Sequence, residues 1–322
     1  MAVTTQDLSV TYGTVVAVDR VSLQVERGSI CGLLGPNGAG KTSMIRALTT
    51  IVPVAGGTAT IVGHPLTDPV AVRSSIGVLP ESNGYPGAQT ALGYLRFYGQ
   101  LYGMEAADAE QRALQLLQQF GLSRGQARIS TFSRGMRQRL GLARALIHDP
   151  AVLFLDEPTL GLDPAGKEEI MVELARLAVE RGTTIFLCTH LLDEVERICD
   201  QVAIMNHGQV VAEGTVDEIV DSSGAEGFAR IRVRPEDVPV SDEVLRGTEE
   251  VRAVRFDNTR PGDLVVTIDN DHGAAATSLR ALLDAGVEPR SFDFRGARLS
   301  DAFMALTSGR AGGDKVTEGV SQ

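Results

Sequence analysis

The sequence contains no tryptophan, and aromatic residues make up only 5% of it. That scarcity argues against two designs built on flat rings, the stacking platforms that hold nucleic-acid bases and the aromatic belts of membrane interfaces. No uninterrupted apolar run reaches the length of about 18 residues that a membrane-crossing helix needs, so any work at a membrane is expected to be done from its side. The first residues, MAVTTQDLSV, have neither a basic stretch nor a long apolar one and do not read as a secretory leader. Basic residues are also in deficit, 30 against 41 acidic, for a formal net charge of −11. So acidic a chain is a poor general partner for nucleic acid, whose phosphates call for a basic surface. It still leaves room for one small site in which backbone amides and a lysine hold the phosphates of a nucleotide. The three cysteines, Cys31, Cys188 and Cys199, form no CxxC pair and sit among apolar residues. They read as small buried hydrophobes in a reduced compartment.

What is present is the composition of a folded protein. With 322 residues, 43% apolar and 22% charged, the chain can bury a sizeable core and is long enough for about two domains. Leu8, Val10 and Tyr12 alternate on one face of a short strand, and Leu23 and Val25 continue the period of two. SICGLLG (29–35) is an apolar run that enters a glycine-rich turn and then a helical stretch from Lys41 to Leu48. TATIVG (58–63) and SIGVLP (75–80) read as further strands. The region 90–148 reads as helical. Ala113, Leu116, Leu117 and Phe120 fall on one helix face, and Met136, Leu140, Ala143 and Ile147 on another that Pro150 helps to end. AVLFLD (151–156) and TTIFLCT (183–189) are unalternated β-rich runs, as expected of strands covered on both faces. Ile170, Leu174, Leu177 and Ala178 mark a crossover helix between them.

DSSGAEG (221–227) reads as a linker. Beyond it the pattern is strand, helix, strand, strand, helix, strand, which predicts a small α+β unit of ferredoxin-like order over 227–308 with a last short helix near 299–307. The tail RAGGDKVTEGVSQ, within 309–322, has the composition of a disordered end.

Two motifs carry chemistry. GPNGAGKT (35–42) fits the pattern G-x-x-x-x-G-K-[ST] at every fixed position, after a strand and at the start of a helix. Glycines at 35, 38 and 40 let the backbone from Gly35 through Pro36, Asn37, Gly38, Ala39, Gly40 and Lys41 to Thr42 and Ser43 wrap so that its N–H groups, which Pro36 alone lacks, point at phosphate oxygens. The helix N-terminus adds partial positive charge. In that pattern Lys41 reaches the β and γ phosphates of ATP and the Thr42 hydroxyl ligates Mg²⁺. The second motif is VLFLDEP (152–158), where four apolar residues end in two adjacent carboxylates. The C-terminal edge of a parallel sheet is where ligands bind, and neighbouring strand residues point opposite ways. Asp156 is therefore a candidate Mg²⁺ ligand and Glu157 a candidate for polarising the attacking water.

Together these residues resemble the ATP-binding subunit of an ABC transporter, over about residues 3–220. FSRGM (132–136) stands where that family has its signature motif, LGLD (160–163) is similar to its D-loop, and His190 after TTIFLCT is similar to its switch histidine. Tyr12, which by alternation alone is a core residue, resembles the aromatic that stacks on adenine. The resemblance implies an α/β P-loop ATPase domain over residues 1–222, with a helical subdomain at about 88–148. It also implies composite sites. One copy brings Tyr12, the 35–42 loop, Glu81, Asp156, Glu157 and His190. The other brings Ser133 and Gly135, whose hydroxyl and amide cap the γ-phosphate, with Asp163 near the seam. A homodimer held together by ATP follows from that arrangement. Lys41, Glu157 and His190 are the implied catalytic residues.

Four positions depart from the commonest pattern. Phe132, Arg134 and Met136 replace the Leu, first Gly and Gln of LSGGQ, while Ser133 and Gly135 remain. The glutamine of the family's Q-loop is replaced by Glu81, which as a carboxylate accepts hydrogen bonds and can approach Mg²⁺ but cannot donate. These departures and the C-terminal appendage resemble the daunorubicin-resistance-like exporters of drugs and antibiotics. The expected partner is a separate membrane permease at the cytoplasmic face, with membrane contact only through it and no nucleic acid bound. Tyr94, Phe97, Tyr98, Leu101 and Tyr102 either line the groove in which such a permease docks or serve plain helix packing. A non-transport ABC ATPase acting in translation or DNA maintenance is the alternative. It fits less well, because there is one cassette and no long heptad run. Arg137 and Arg139 read as a solvated helix face. The C-terminal unit is open to reading as a dimer brace, a ligand sensor or a regulatory contact.

Overall fold

The unalternated apolar runs around residues 30, 153 and 185 become the three innermost strands of a parallel sheet. The computed structural model describes residues 1–81, 84–122, 125–256, 260–269 and 272–308. The expected disordered tail lies outside the described residues. The chain divides into two units at Thr215 and Val216.

The first unit begins with β1 (Val3–Tyr12), β2 (Val15–Val25), β3 (Ile30–Leu34) and α1 (Lys41–Leu48). Next come β4 (Gly56–Ile61), β5 (His64–Pro65), α2 (Pro69–Ser75) and β6 (Ile76–Leu79). The helical stretch resolves into α3 (Ala91–Leu101), α4 (Ala106–Gln119) and α5 (Arg134–Ala145). Then follow β7 (Val152–Asp156), α6 (Pro164–Arg181), β8 (Thr184–Cys188), α7 (Leu192–Ile198), β9 (Gln201–Asn206) and β10 (Gln209–Gly214).

The six-stranded sheet has the order β10-β9-β3-β8-β7-β6. Its strands run parallel from β6 to β9, and β10 closes one edge antiparallel. Every residue of β3, β7 and β8 is buried, which is why those runs do not alternate. A second, antiparallel sheet of order β2-β1-β4-β5 shares a core with α1 and one face of the parallel sheet. Helices α3 to α6 pack on the other face through Leu95, Leu116, Leu140 and Leu174.

Helix boundaries follow local chemistry. Thr90, Ser133 and Asp163 each accept a hydrogen bond from the third residue onward and so cap α3, α5 and α6. Pro164 opens α6, and Gly182, in the left-handed region at φ 65°, ends it. The face expected from Met136 to Ile147 is shortened. α5 stops at Ala145, and Ile147 is buried in the turn beyond it. Of the aromatic set on α3, Tyr94 turns inward and Tyr98 is half-buried, while Phe97, Leu101 and Tyr102 are exposed. Helix packing therefore accounts for part of the set, and Tyr102 stacks on His148 with 3.6 Å between ring centroids.

In the second unit the chain runs α8 (Val216–Ser222), β11 (Gly227–Arg232), α9 (Val238–Arg246) and β12 (Val251–Phe256). It continues through β13 (Asp263–Ile268), α10 (His272–Asp284), β14 (Ser291–Arg295) and α11 (Leu299–Ser308). The sheet order β12-β13-β11-β14, antiparallel throughout, is the ferredoxin-like order of a βαββαβ chain. Ala229, Ile231, Leu245, Val254, Leu264, Val266 and Leu282 form its core. The division falls ahead of the expected linker because α8 buries Ile219 and Val220 and packs against α11. No described helix is long and apolar enough to cross a membrane.

One close approach offers a test of the packing. A Cβ on Gly77, in β6, would collide with the carbonyl oxygen of Ala145 at the end of α5. Gly77→Ala is expected to cost about 1–3 kcal/mol of stability, the usual penalty for overpacking, as measured by chemical denaturation. An unchanged midpoint would mean that the end of α5 gives way freely.

Candidate nucleotide site

Because the strands from β6 to β9 are parallel, the exits of β3, β6, β7 and β8 share one edge of the sheet. The exit of β3 is the 35–42 loop. Gly38 and Gly40 take φ values of 82° and 108°, which side chains rarely adopt. Gly40 also lies against the Ala17 carbonyl, so no Cβ fits there. The Ala39 amide closes the turn on the Pro36 carbonyl at 3.1 Å. Lys41, buried, folds back across the loop and donates to the Gly35 carbonyl at 2.7 Å and the Pro36 carbonyl at 3.2 Å. Its ammonium is thus already held at the centre of the loop.

Asp156 ends β7, and its Oδ2 accepts a 3.0 Å hydrogen bond from the Thr42 hydroxyl at the start of α1. Burial raises the Asp156 pKa above the ordinary carboxylate value, the Thr42 hydrogen bond opposes it, and Glu81 and Glu157 push it up further. The hydroxyl and carboxylate form an all-oxygen donor set of the kind that suits a hard divalent cation such as Mg²⁺. Glu157 turns away from the strand at φ 52°, an uncommon conformation for a residue with a side chain. Its amide donates to the Cys188 carbonyl at 2.9 Å, extending the ladder one residue beyond β7. Its carboxylate faces the exit of β8. Oε1 lies 2.7 Å from His190 Nδ1, and Oε2 lies 3.5 Å from the Thr189 hydroxyl. Two neighbouring carboxylates thus face two different partners.

These groups border a cleft of about 730 Å³. Residues 37–43, Glu81, Asp156 and Glu157 line it, while Gly35 and Pro36 support it through the Lys41 contacts. His190 reaches it through Glu157. Ser133, Gly135 and Asp163 do not line it. They gather at the N-termini of α5 and α6, where Leu162 touches Gly135 and the Arg134 side chain lies across Gly161.

Tyr12 does not join Leu8 and Val10 in the core, where alternation alone puts it; it is 41% exposed and stands outside the lining of the cleft. Irregularities in the β1–β2 pairing, including one between Val10 and Thr11, break the alternation that put Tyr12 on the Leu8 face. Its hairpin partner Val15 lines the cleft with Val16. Arg139 pairs with Glu169 at 2.6 Å and Arg137 reaches the Ser130 carbonyl, so neither is simply solvated.

Sequence reasoning missed several supports. Gln138 on α5 donates to the Pro158 carbonyl at 2.8 Å, tying the helix that begins at Ser133 to the segment after Glu157. Arg144 donates to the Val78 carbonyl at 2.9 Å, just ahead of Glu81, and packs over the Tyr98 ring. Glu194 is buried beside Thr159 and Thr189. None belongs to a motif; their only signal is that polar side chains fall among apolar helix positions. Cys31 and Cys188 are buried in the strands below, and burial pushes the Cys31 thiol up to about 12.

Comparison with known proteins agrees with this geometry. Residues 18–160 match the family model described as ABC transporter. The daunorubicin/doxorubicin resistance ATP-binding protein of Streptomyces peucetius is 36% identical over 323 residues, covering 100% of this chain and 96% of the relative. The Nod factor export ATP-binding protein I of Cupriavidus pinatubonensis is 40% identical over 66% of this chain and 65% of its own. A solved ATP-binding subunit of an ABC transporter superposes with a TM-score of 0.65 at 32% identity, over 70% of this chain and 94% of that one. A dimeric ATP-binding cassette bound to ADP and Pi shares the fold at 24% identity, with a TM-score of 0.62.

Removing the Lys41 ammonium should weaken nucleotide binding itself. Lys41→Ala is expected to raise the dissociation constant of a fluorescent ATP analogue by about 10–100-fold, the value of a charge-assisted hydrogen bond. Equal binding by the variant would assign phosphate recognition to the backbone amides alone.

Proposed function

The chain belongs to the ABC transporter family as an ATP-hydrolysing, ATP-binding subunit, and on that premise we propose that it powers export through a separate membrane permease. The exported compound is a drug, an antibiotic or a lipid-like molecule. The observation that carries the export reading is the extent of the similarity to the daunorubicin/doxorubicin resistance protein, which runs through both units of the chain. The subunit works at the cytoplasmic face of the membrane, which it touches through the permease.

In the proposed mechanism Lys41 exchanges its loop carbonyls for the β and γ phosphates, and the amides of residues 37–43 surround them. Asp156 and Thr42 would hold Mg²⁺, with Glu81 as a further carboxylate donor, and when bound the ion would offset phosphate charge. Glu157 orients and deprotonates the attacking water, and His190, hydrogen-bonded to it, steadies it and reaches the γ-phosphate. Such transfer depends chiefly on positioning and charge stabilisation. The cleft lacks Ser133 and Gly135 of its own chain, which favours a site completed by a second copy. Those two residues of that copy grip the γ-phosphate, Asp163 borders the seam, and hydrolysis releases the grip, so ATP shifts the population between closed and open dimers.

Glu157→Gln is expected to slow phosphate release by about 10²–10⁴-fold while ATP binding persists, the range for losing a general base. With ATP present this variant should also run as a dimer in light scattering. Unchanged turnover would assign the water to another group. For the transport reading, the tagged protein is recovered from detergent-solubilised membranes and its companions are identified by mass spectrometry. A stoichiometric multi-span membrane protein is expected. Recovery from cytosol alone, or with ribosomes or DNA factors, would overturn transport and leave the ATPase intact.

A further inference from the structure

Three described carboxylates are buried: Asp156, Asp263 and Glu194. Asp156 faces Thr42, and Asp263 is matched by both arms of Arg232. Glu194, at 7% exposure in α7, has no cation at hydrogen-bond distance, since the Lys167 ammonium is 3.9 Å away. A buried charge without a close counter-ion is costly, so the arrangement around this one calls for a reason.

Each Glu194 oxygen meets a threonine hydroxyl. Oε1 accepts from Thr159 and Oε2 from Thr189 at 3.3 Å. Both threonines are buried. Thr159 belongs to the segment that leaves β7 through Glu157, and Thr189 is the first residue after β8, next to His190. One carboxylate therefore links the two strand exits that carry the proposed catalytic pair. Burial raises the Glu194 pKa, and the hydroxyls and Lys167 oppose it.

The Thr189 hydroxyl is the informative atom. It accepts the Leu191 amide at 3.0 Å and lies within reach of two carboxylate oxygens, Glu194 Oε2 at 3.3 Å and Glu157 Oε2 at 3.5 Å. A hydroxyl carries one proton and can donate to only one of them at a time. Glu194 Oε2 is the nearer of the two acceptors. Glu157 Oε1 is engaged by His190 at 2.7 Å, so Oε2 is the less engaged oxygen for the attacking water.

We propose that Glu194 is a positioning residue for hydrolysis, which holds the Thr189 hydroxyl proton away from Glu157 and so keeps Glu157 Oε2 open to the attacking water. The inference rests on the reading of Glu157 as the group that handles water. It predicts a sign that a purely structural role does not. Without Glu194 the Thr189 proton turns to Glu157 Oε2, takes up one of its lone pairs and makes that oxygen a poorer acceptor for the water. Removing the hydroxyl as well should undo the damage.

The test uses the full chain and single-turnover phosphate release, which reads the chemical step, with nucleotide affinity measured in parallel. Glu194→Gln keeps the shape of the buried side chain but leaves one acceptor oxygen for two hydroxyls. It is expected to slow hydrolysis by about 10–100-fold, the scale of a misplaced reacting group, with ATP affinity within about twofold. Glu194→Ala should act in the same direction. Thr189→Val should stay within about threefold of the parent, and Glu194→Gln combined with Thr189→Val should recover to that level. If Glu194→Ala fails to fold, the two isosteric changes and their combination still decide. A double variant as slow as Glu194→Gln or slower, or a Glu194→Gln with parental rate, overturns the proposal. Glu157→Gln, run alongside, separates the failures. If it slows hydrolysis while Glu194→Gln does not, only this inference falls; if it has no effect, the Glu157 reading falls and takes this inference with it.

Discussion

The parallel register of β3, β8 and β7 aligns Leu33 with Cys188 and Cys188 with Asp156, and the rest of the site depends on that alignment. Three buried strands end level with one another, so three turns that are distant in sequence open side by side. The ladder hydrogen bonds fix the depth of each exit. The Glu157 amide bond to the Cys188 carbonyl carries that control one residue past the strand. A slip of one residue in β7 would turn Asp156 from the Thr42 side to the other face.

From this edge follows the division of labour between Asp156 and Glu157. Strand geometry alone sends adjacent side chains to opposite faces, and the left-handed turn at Glu157 adds to the separation. One carboxylate faces the start of α1 and the other faces the exit of β8. The electrostatics agree. Asp156, buried and crowded by Glu81 and Glu157, has its proton affinity raised, with the Thr42 hydrogen bond and one lysine to offset it. Three carboxylates around one ammonium form a setting suited to a divalent cation arriving with the nucleotide. Replacing the family's usual glutamine with Glu81 adds to that acidity and does not relieve it.

How much was legible in the sequence depended on the range of the interaction. The 35–42 loop and the helix from Lys41 to Leu48 were readable because phosphate-loop chemistry is local and glycine positions are set by the backbone. The buried strands were readable from unbroken apolar runs, and the strand order of the second unit followed from the βαββαβ pattern. The exposure of Tyr12 was not legible from alternation, because the irregular pairing that breaks it is revealed only by the partner strand. The division near residue 215 was missed because the apolar pair Ile219 and Val220 looks like a fragment of linker until α11 is there to cover it. Glu194, Gln138 and Arg144 were silent for a related reason. Each acts on a backbone or hydroxyl group brought near by the fold, and no spacing rule encodes that proximity.

The segment from Glu157 to Asp163 deserves to be considered as one mechanical unit. At one end Glu157 faces His190, and two residues later Thr159 is tied to Glu194. Gln138 grips the Pro158 carbonyl from α5. Gly161 then lies under the Arg134 side chain, Leu162 touches Gly135, and Asp163 caps α6. Arg134 and Gly135 flank the surface that, in the proposed dimer, meets the nucleotide of the other copy. The same seven residues therefore touch the water-handling group of one site and the phosphate-gripping turn of the next. Glu157 is thus joined through this segment to the capped helix starts at Ser133 and Asp163. Arg134, where the family commonly has glycine, lays its side chain over Gly161 and so adds one more contact between α5 and this segment. The departure from the common signature thus falls on a residue that contacts this segment, and it leaves the hydroxyl and amide donors of Ser133 and Gly135 themselves unchanged.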